Sequence, residues 1–251
     1  MQGKIVIFDL DDTLLNNDSQ VSDATLEVLS RVRAAGHLLV FNTARGQGSS
    51  QEIFSLVKPD FAIYNGGAQI VDKDGNTVFE RILSKELCNA MVPELFLLTN
   101  RFSMQADWFY TANPDYHAPG VKQFDFRNEE FPMGAYKVIA FSEDPERLRP
   151  LAEKFDLDFT VYFGGPFCRF TIKGVTKASG NRELVRLLGR ELSDVIAFGD
   201  DKGDMGMLRE AGVGIIMKNA VDELKEEGLV VSEYTNDEDG VARFLLKHLN
   251  I

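Results

Sequence analysis

The chain has 251 residues, 44% of them hydrophobic and 26% charged, which is ordinary for a soluble globular protein with one large domain or two modest ones. A net charge of -12 speaks against a nucleic-acid-binding surface, although it does not exclude an anionic substrate, because a metal and local cations override the global field. Two cysteines, Cys88 and Cys168, cannot build a disulfide framework and carry no zinc-like spacing. No apolar stretch approaches a membrane-spanning length and no signal peptide is visible, so a cytoplasmic location is expected.

From Lys4 the chain enters the unbroken apolar run Ile5-Val6-Ile7-Phe8, which leads into Asp9-Leu10-Asp11-Asp12-Thr13 and reads as a strand buried on both faces. Ser22 caps a helix whose buried face carries Leu26, Leu29 and Val32 and which stops at Gly36. A second buried strand, 37–41, ends in the polar turn Asn42-Thr43-Ala44-Arg45-Gly46 and feeds a helix reaching about Val57. A third strand, 61–64, is closed by Asn65-Gly66-Gly67, and 69–71 with 77–80 flank a hairpin turn.

From about Ile82 to Ile172 the rhythm changes. A helix from Ser84 is expected to end or kink at Pro93, and an irregular aromatic stretch follows. A strand over 136–141, a helix opened by Pro145 and strands near 158–163 and 167–172 complete an α+β insert. The alternating rhythm then returns: helix 176–188, strand 195–198, helix 204–211, strand 213–217, a short helix, a last strand at Val230-Val231 and a closing helix. The expected fold class is α/β, a doubly wound parallel-sheet core formed by 1–81 and 173–251, interrupted by an α+β domain at 82–172.

Three carboxylates at the end of a buried strand repel one another unless a cation offsets them, and Mg²⁺ is the simplest candidate. A solvated acidic turn is the plain alternative; a calcium loop lacks its spacing and central glycine. Phe198-Gly199-Asp200-Asp201-Lys202-Gly203-Asp204 repeats the pattern. If its strand lies beside the first, Asp200 faces Asp9 across the carboxyl edge of the sheet. Thr43 suits either a phosphate cradle or a helix cap, and Lys177 is misplaced at a helix start unless a metal and a phosphate need a countercharge.

Taken together, these four points resemble the haloacid dehalogenase (HAD) superfamily of aspartate-dependent phosphatases, and the large insert is similar to the cap of the Cof-type branch. The resemblance spans nearly the whole chain, including Asn65-Gly66-Gly67 and Met217-Lys218-Asn219-Ala220. It implies a Rossmann-like core, Asp9 as nucleophile, Asp11 as general acid and base, and Thr43, the Ala44 backbone and Lys177 at the phosphate, with Asn219 a further candidate. It also implies Mg²⁺ held by Asp9, the Asp11 carbonyl and Asp200, supported by Asp204.

The implied substrate is a small phosphorylated metabolite, of which sugar phosphates are the favoured case, closed under the cap. No nucleic-acid or membrane partner is expected, and the chain is expected to be a monomer or weak homodimer. A phosphohexomutase and a catalytically silent binding protein are the alternatives. The family commonly has Gly where Asp12 stands and Asn where Gly203 stands. Trp108, Phe109, Tyr110 and His117 are candidates for a substrate wall, with packing inside the insert the simpler reading of each.

Overall fold

The computed structural model describes residues 3–118, 120–162, 165–249 and 251. The chain divides into two units, Met1–Arg45 with Ser50–Phe79 and Thr176–Ile251, and Gly46–Ser49 with Glu80–Val175.

In the first unit β1 (Ile5–Phe8) is buried along its whole length, as its continuous Val/Ile run requires. It is followed by α1 (Asp23–Ala34), β2 (Leu38–Asn42), α2 (Gln51–Val57), β3 (Phe61–Tyr64) and the strands β4 (Gln69–Asp72) and β5 (Thr77–Glu80). The Ser22 hydroxyl accepts a hydrogen bond from the Thr25 amide and so caps α1, and Gly36 takes φ +87° beyond its end.

The second unit begins with α3 (Lys85–Leu98) and the strands β6 (Phe102–Gln105), β7 (Phe109–Thr111), β8 (Val121–Gln123) and β9 (Lys137–Phe141). It continues with α4 (Arg149–Lys154), β10 (Leu157–Val161) and β11 (Phe167–Ile172). The first unit resumes with α5 (Lys177–Leu187), β12 (Val195–Gly199), α6 (Met205–Glu210), β13 (Val213–Ile216), α7 (Asp222–Lys225), β14 (Val230–Val231) and α8 (Gly240–His248).

The first sheet has the order β14-β13-β12-β1-β2-β3-β4-β5. Pairing is parallel from β14 to β3 and turns antiparallel at β4. Apolar clusters cover both of its faces: Val6, Phe8, Leu39 and Phe41 belong to one, Ile5, Ile7, Val40 and Val195 to the other. The second sheet has the order β10-β11-β9-β6-β7-β8, with a core containing Phe102, Met104, Val138, Ala140, Cys168 and Phe170.

Three expectations are corrected. The turn after β2 does not feed a helix directly; α2 begins at Gln51, beyond a 3₁₀ turn over Gly48–Ser50. Helix α3 does not end at Pro93 but continues to Leu98, with Met91, Val92 and Leu95 buried on both sides of the proline. The stretch read as irregular contains the strands β6, β7 and β8, whose three or four residues are too few to display a clear alternation. Residue 163, at the end of one expected strand, lies outside the described residues.

Candidate active site

The register Phe8↔Phe198 sets β1 and β12 side by side, so both acidic turns leave the sheet at the same edge. The Asp9 amide donates to the Phe198 carbonyl at 3.1 Å, fixing the start of the first turn. Asp12 then adopts φ +54°, which Asp tolerates better than most side chains and which explains why glycine also suits this position. Asp9, Asp200 and Asp204 each offer a carboxylate oxygen within 4.8 Å of the others. Gly199 permits this closeness, since a Cβ there would stand 2.5 Å from that of Asp204.

Lys177 reaches into this group from the first turn of α5. Its ammonium lies 2.9 Å from Asp9 Oδ1 and 2.5 Å from Asp204 Oδ1, and all three side chains are buried. The placement is braced twice. Thr176 and Ser179 form a reciprocal capping box, and Asn42 Nδ2 donates to the Lys177 carbonyl at 2.9 Å and to Asn181 Oδ1 at 2.7 Å. Asp204 Oδ2 accepts the amides of Asp200 (3.0 Å) and Asp201 (3.1 Å), and the Thr13 hydroxyl donates to Asp200 Oδ1 at 2.7 Å.

Burial raises Asp9 well above the usual carboxylate range, against the opposing pull of Lys177. Burial likewise pushes Asp200 up to about 7, opposed by the Thr13 hydrogen bond and reinforced by Asp204 and Asp201. Asp204 is raised by burial too. Lys177 is held protonated: burial works against its charge, but Asp9 and Asp204 outweigh it. Two buried carboxylates on one buried ammonium, with the half-buried Asp200 beside them, leave an excess of negative charge among oxygen donors only. That donor set fits a hard divalent cation such as Mg²⁺.

A second turn stands beside the acids. Thr43 is buried, its amide donates to the Ile63 carbonyl at 2.9 Å, and its hydroxyl accepts the Arg45 amide at 3.1 Å. Ala44 lies between them. The expected cradle at a helix start is therefore corrected to a bare turn, since α2 opens eight residues later. This turn is held by Asn65-Gly66-Gly67, all with positive φ: the Asn65 and Gly66 amides donate to the carbonyls of Arg45 (2.8 Å) and Thr43 (2.9 Å). Gly67 cannot be replaced cheaply, because its Cβ would fall 2.0 Å from the Thr176 carbonyl.

Asp11 is exposed, unlike Asp9, and forms an ion pair with Arg45, whose Nε donates to Oδ2 at 2.9 Å and whose second guanidinium arm donates to Oδ1. Sequence reasoning missed Arg45, as it missed Asn42 and Thr13. The signal was the position of Arg45 two residues after Thr43, which no rule of composition or periodicity singles out.

Asn219 takes a different place from the one expected. Its Nδ2 donates to the Asp12 carbonyl at 2.7 Å and its Oδ1 accepts the Asn236 amide at 2.9 Å, so both ends of the amide brace backbone. Gly203 lies in an exposed turn where its amide donates to Asp201 Oδ1 at 2.7 Å. In the second unit Tyr110 packs edge-on against Phe131 and Phe124, Phe109 lines a cavity, and Trp108 and His117 are exposed. The four do not form one wall.

Comparison with known proteins agrees with this geometry. The family model of haloacid dehalogenase-like hydrolases matches residues 6–245. The chain belongs to this family, and it is a phosphatase of the Cof branch. It is 27% identical to the Bacillus subtilis 5-amino-6-(5-phospho-D-ribitylamino)uracil phosphatase YwtE over 96% of each chain. A second protein of that description from the same organism, YcsE, is 27% identical over 96% of this chain and 93% of its own. Among solved structures, a haloacid dehalogenase-like hydrolase from Bacteroides thetaiotaomicron superposes with a TM-score of 0.84 at 21% identity, covering 98% of this chain and 99% of its own, which supports the fold. No helix among the described residues is long and apolar enough to cross a membrane.

Proposed function

We propose that this phosphatase hydrolyses small phosphomonoesters, sugar phosphates first among them, with Mg²⁺ and through an aspartyl-phosphate. The observation that carries the reading is Asp9, a buried carboxylate 2.9 Å from the Lys177 ammonium and beside two further acids.

In this reading an Asp9 oxygen attacks phosphorus, forming the acyl-phosphate bond as the ester P–O bond breaks. Asp11 gives its proton to the departing alcohol oxygen, then takes a proton from the water that attacks the aspartyl-phosphate and releases inorganic phosphate. Lys177 offsets the repulsion between the carboxylate and the phosphate, and Thr43 with the Ala44 turn holds phosphate oxygens. Arg45 fixes the direction of the Asp11 carboxyl group and adds a second cation beside the phosphate; their pair opens when Asp11 acts as an acid. Asp9, the Asp11 carbonyl and Asp200 would hold Mg²⁺, with Asp204 acting through Lys177 and the Asp200 amide. When bound, the ion would neutralise charge on the transferring phosphoryl group. Asn219 is a positioning residue for the Asp12 turn. The insert, 82–172 in the sequence reading, is assigned to substrate selection.

The test is phosphate release from a panel of sugar phosphates, p-nitrophenyl phosphate and 5-amino-6-(5-phospho-D-ribitylamino)uracil, with Mg²⁺ and with EDTA. Metal-dependent release that is lost in Asp9→Asn is the expected result. Turnover that needs a bisphosphate activator and leaves phosphate on the product would replace hydrolysis with a mutase reaction.

A further inference from the structure

Val40 of β2 and Ile63 of β3 turn their side chains into the apolar cluster that also holds Ala178, Leu184 and Val185 of α5. Asn42 ends β2 two residues after Val40, so it faces the same side, and its register partner is Ile63. A carbon side chain is the ordinary choice at such a position. Here an amide stands instead, 0% exposed, and it meets a second buried amide on α5, that of Asn181, 1% exposed.

The pair is poorly satisfied. Asn42 Nδ2 makes both of its contacts, 2.9 Å to the Lys177 carbonyl and 2.7 Å to Asn181 Oδ1. Asn42 Oδ1 and Asn181 Nδ2 are buried without a partner. Turning either amide over would set donor against donor or acceptor against acceptor, so the orphaned atoms belong to the arrangement itself. Unpaired buried polar atoms lower stability, and an apolar pair of similar volume would avoid that loss. Packing does not account for these two asparagines.

What the pair gains is a hold on Lys177. The register Phe8↔Phe41 sets β1 level with β2, so Asp9 and Asn42 stand side by side as the next residues of two neighbouring strands. Asp9 takes the lysine ammonium at 2.9 Å, and Asn42 takes the carbonyl of the same residue at 2.9 Å. Lys177 is thus gripped at its two ends by adjacent strand ends. Asn42 also immediately precedes Thr43, so a single residue links the main chain of the lysine to that of the threonine.

We propose that Asn42, oriented by Asn181, is a positioning residue for phosphoryl transfer. It fixes the root of Lys177, so that the ammonium keeps its place between Asp9 and the phosphate rather than being drawn further towards Asp204. The inference rests on the role that the proposed function gives to Lys177.

The experiment measures kcat and KM for p-nitrophenyl phosphate with Mg²⁺, together with thermal melting, in the wild type, Asn181→Ala, Asn42→Val/Asn181→Ala and Lys177→Met. In Asn181→Ala the Asn42 amide loses one partner but stays on the Lys177 carbonyl. This variant is expected to melt below the wild type and to lose less than about threefold in kcat. The double variant removes both amides at nearly constant volume. It is expected to melt above Asn181→Ala, yet to lose at least about tenfold in kcat with KM within about twofold of the wild type. That reversed order, in which the more stable variant is the slower, is one that a purely structural role does not produce. A double variant with kcat within about twofold of the wild type, activities that simply follow the melting temperatures, or a loss confined to KM would overturn the proposal. Normal turnover in Lys177→Met would bring down the reading of Lys177 and this inference with it. Severe loss in Lys177→Met beside a fast double variant would overturn this inference alone.

Discussion

The two units bury charge of opposite sign. At the edge of the first sheet, Asp9 and Asp204 meet a single buried ammonium with Asp200 beside them; on one face of the second sheet, Lys137 and Arg169 gather instead. Burial acts on both sets in the same way, pushing each towards its neutral form: Asp200 rises to about 7 and Lys137 falls to about 7. The lesson is that one burial penalty moves an acid and a base in opposite directions, each towards its uncharged form.

The strongest way to break the comparison is Asp9→Asn. It is expected to lower phosphate release by at least about a thousandfold while the far-ultraviolet spectrum stays native, and ordinary turnover would end the covalent reading. Next comes Lys177→Met, which leaves the acids without their ammonium. A stability loss of about 3–5 kcal/mol in denaturant titrations without Mg²⁺ is expected, together with severe loss of activity. A variant as stable as the wild type would mean that the buried acids are neutralised by some other route.

The pH dependence sharpens the contrast. Because the folded pKa of Asp200 is raised, the native state binds more protons than the unfolded state between about 4 and 7, so this group lowers stability as pH rises through that window. Asp200→Asn is expected to flatten that slope, and the thermal stabilisation conferred by Mg²⁺ on the wild type is expected to be larger at pH 8 than at pH 5.5. Lys137 works in the other direction. Its folded pKa is depressed, so the unfolded state binds more protons from about 7 to 10.5, and stability rises with pH there. Calorimetric scans of Lys137→Met are expected to lose that rise. The smallest effect belongs to Thr13→Val, which removes the hydroxyl on Asp200 and is expected to weaken Mg²⁺ about tenfold, read from the metal dependence of turnover.

Asp9 and Asp200 were legible because each stands where a run of buried apolar residues ends. Lys177 was legible by its oddity, a cation at a helix start. Arg45, Asn42 and Thr13 were hidden because their partners, Asp11, Lys177 and Asp200, are all remote in sequence. Thr43 was found for the right position and the wrong local reason, since a turn braced by the Asn65 and Gly66 amides stands where a helix start was expected. The cationic face of the second unit was illegible: Lys137 and Arg169 are 32 residues apart on strands whose pairing no local signal announces.

The strand order also carries a consequence in time. β1 has β2 on one side, 33 positions away by register, but on the other side it has β12, where Ile5 pairs with Val195. During synthesis Asp9 is among the first residues made, yet its edge of the sheet stays open until nearly four-fifths of the chain has appeared. The second unit, with its own core, can condense in that interval, whereas the β1–β12 pairing must close a loop of about 190 residues and so comes late. Asp9 therefore meets Lys177, Asp200 and Asp204 only at the end of folding, and an incompletely made chain presents an exposed apolar strand rather than a half-active enzyme.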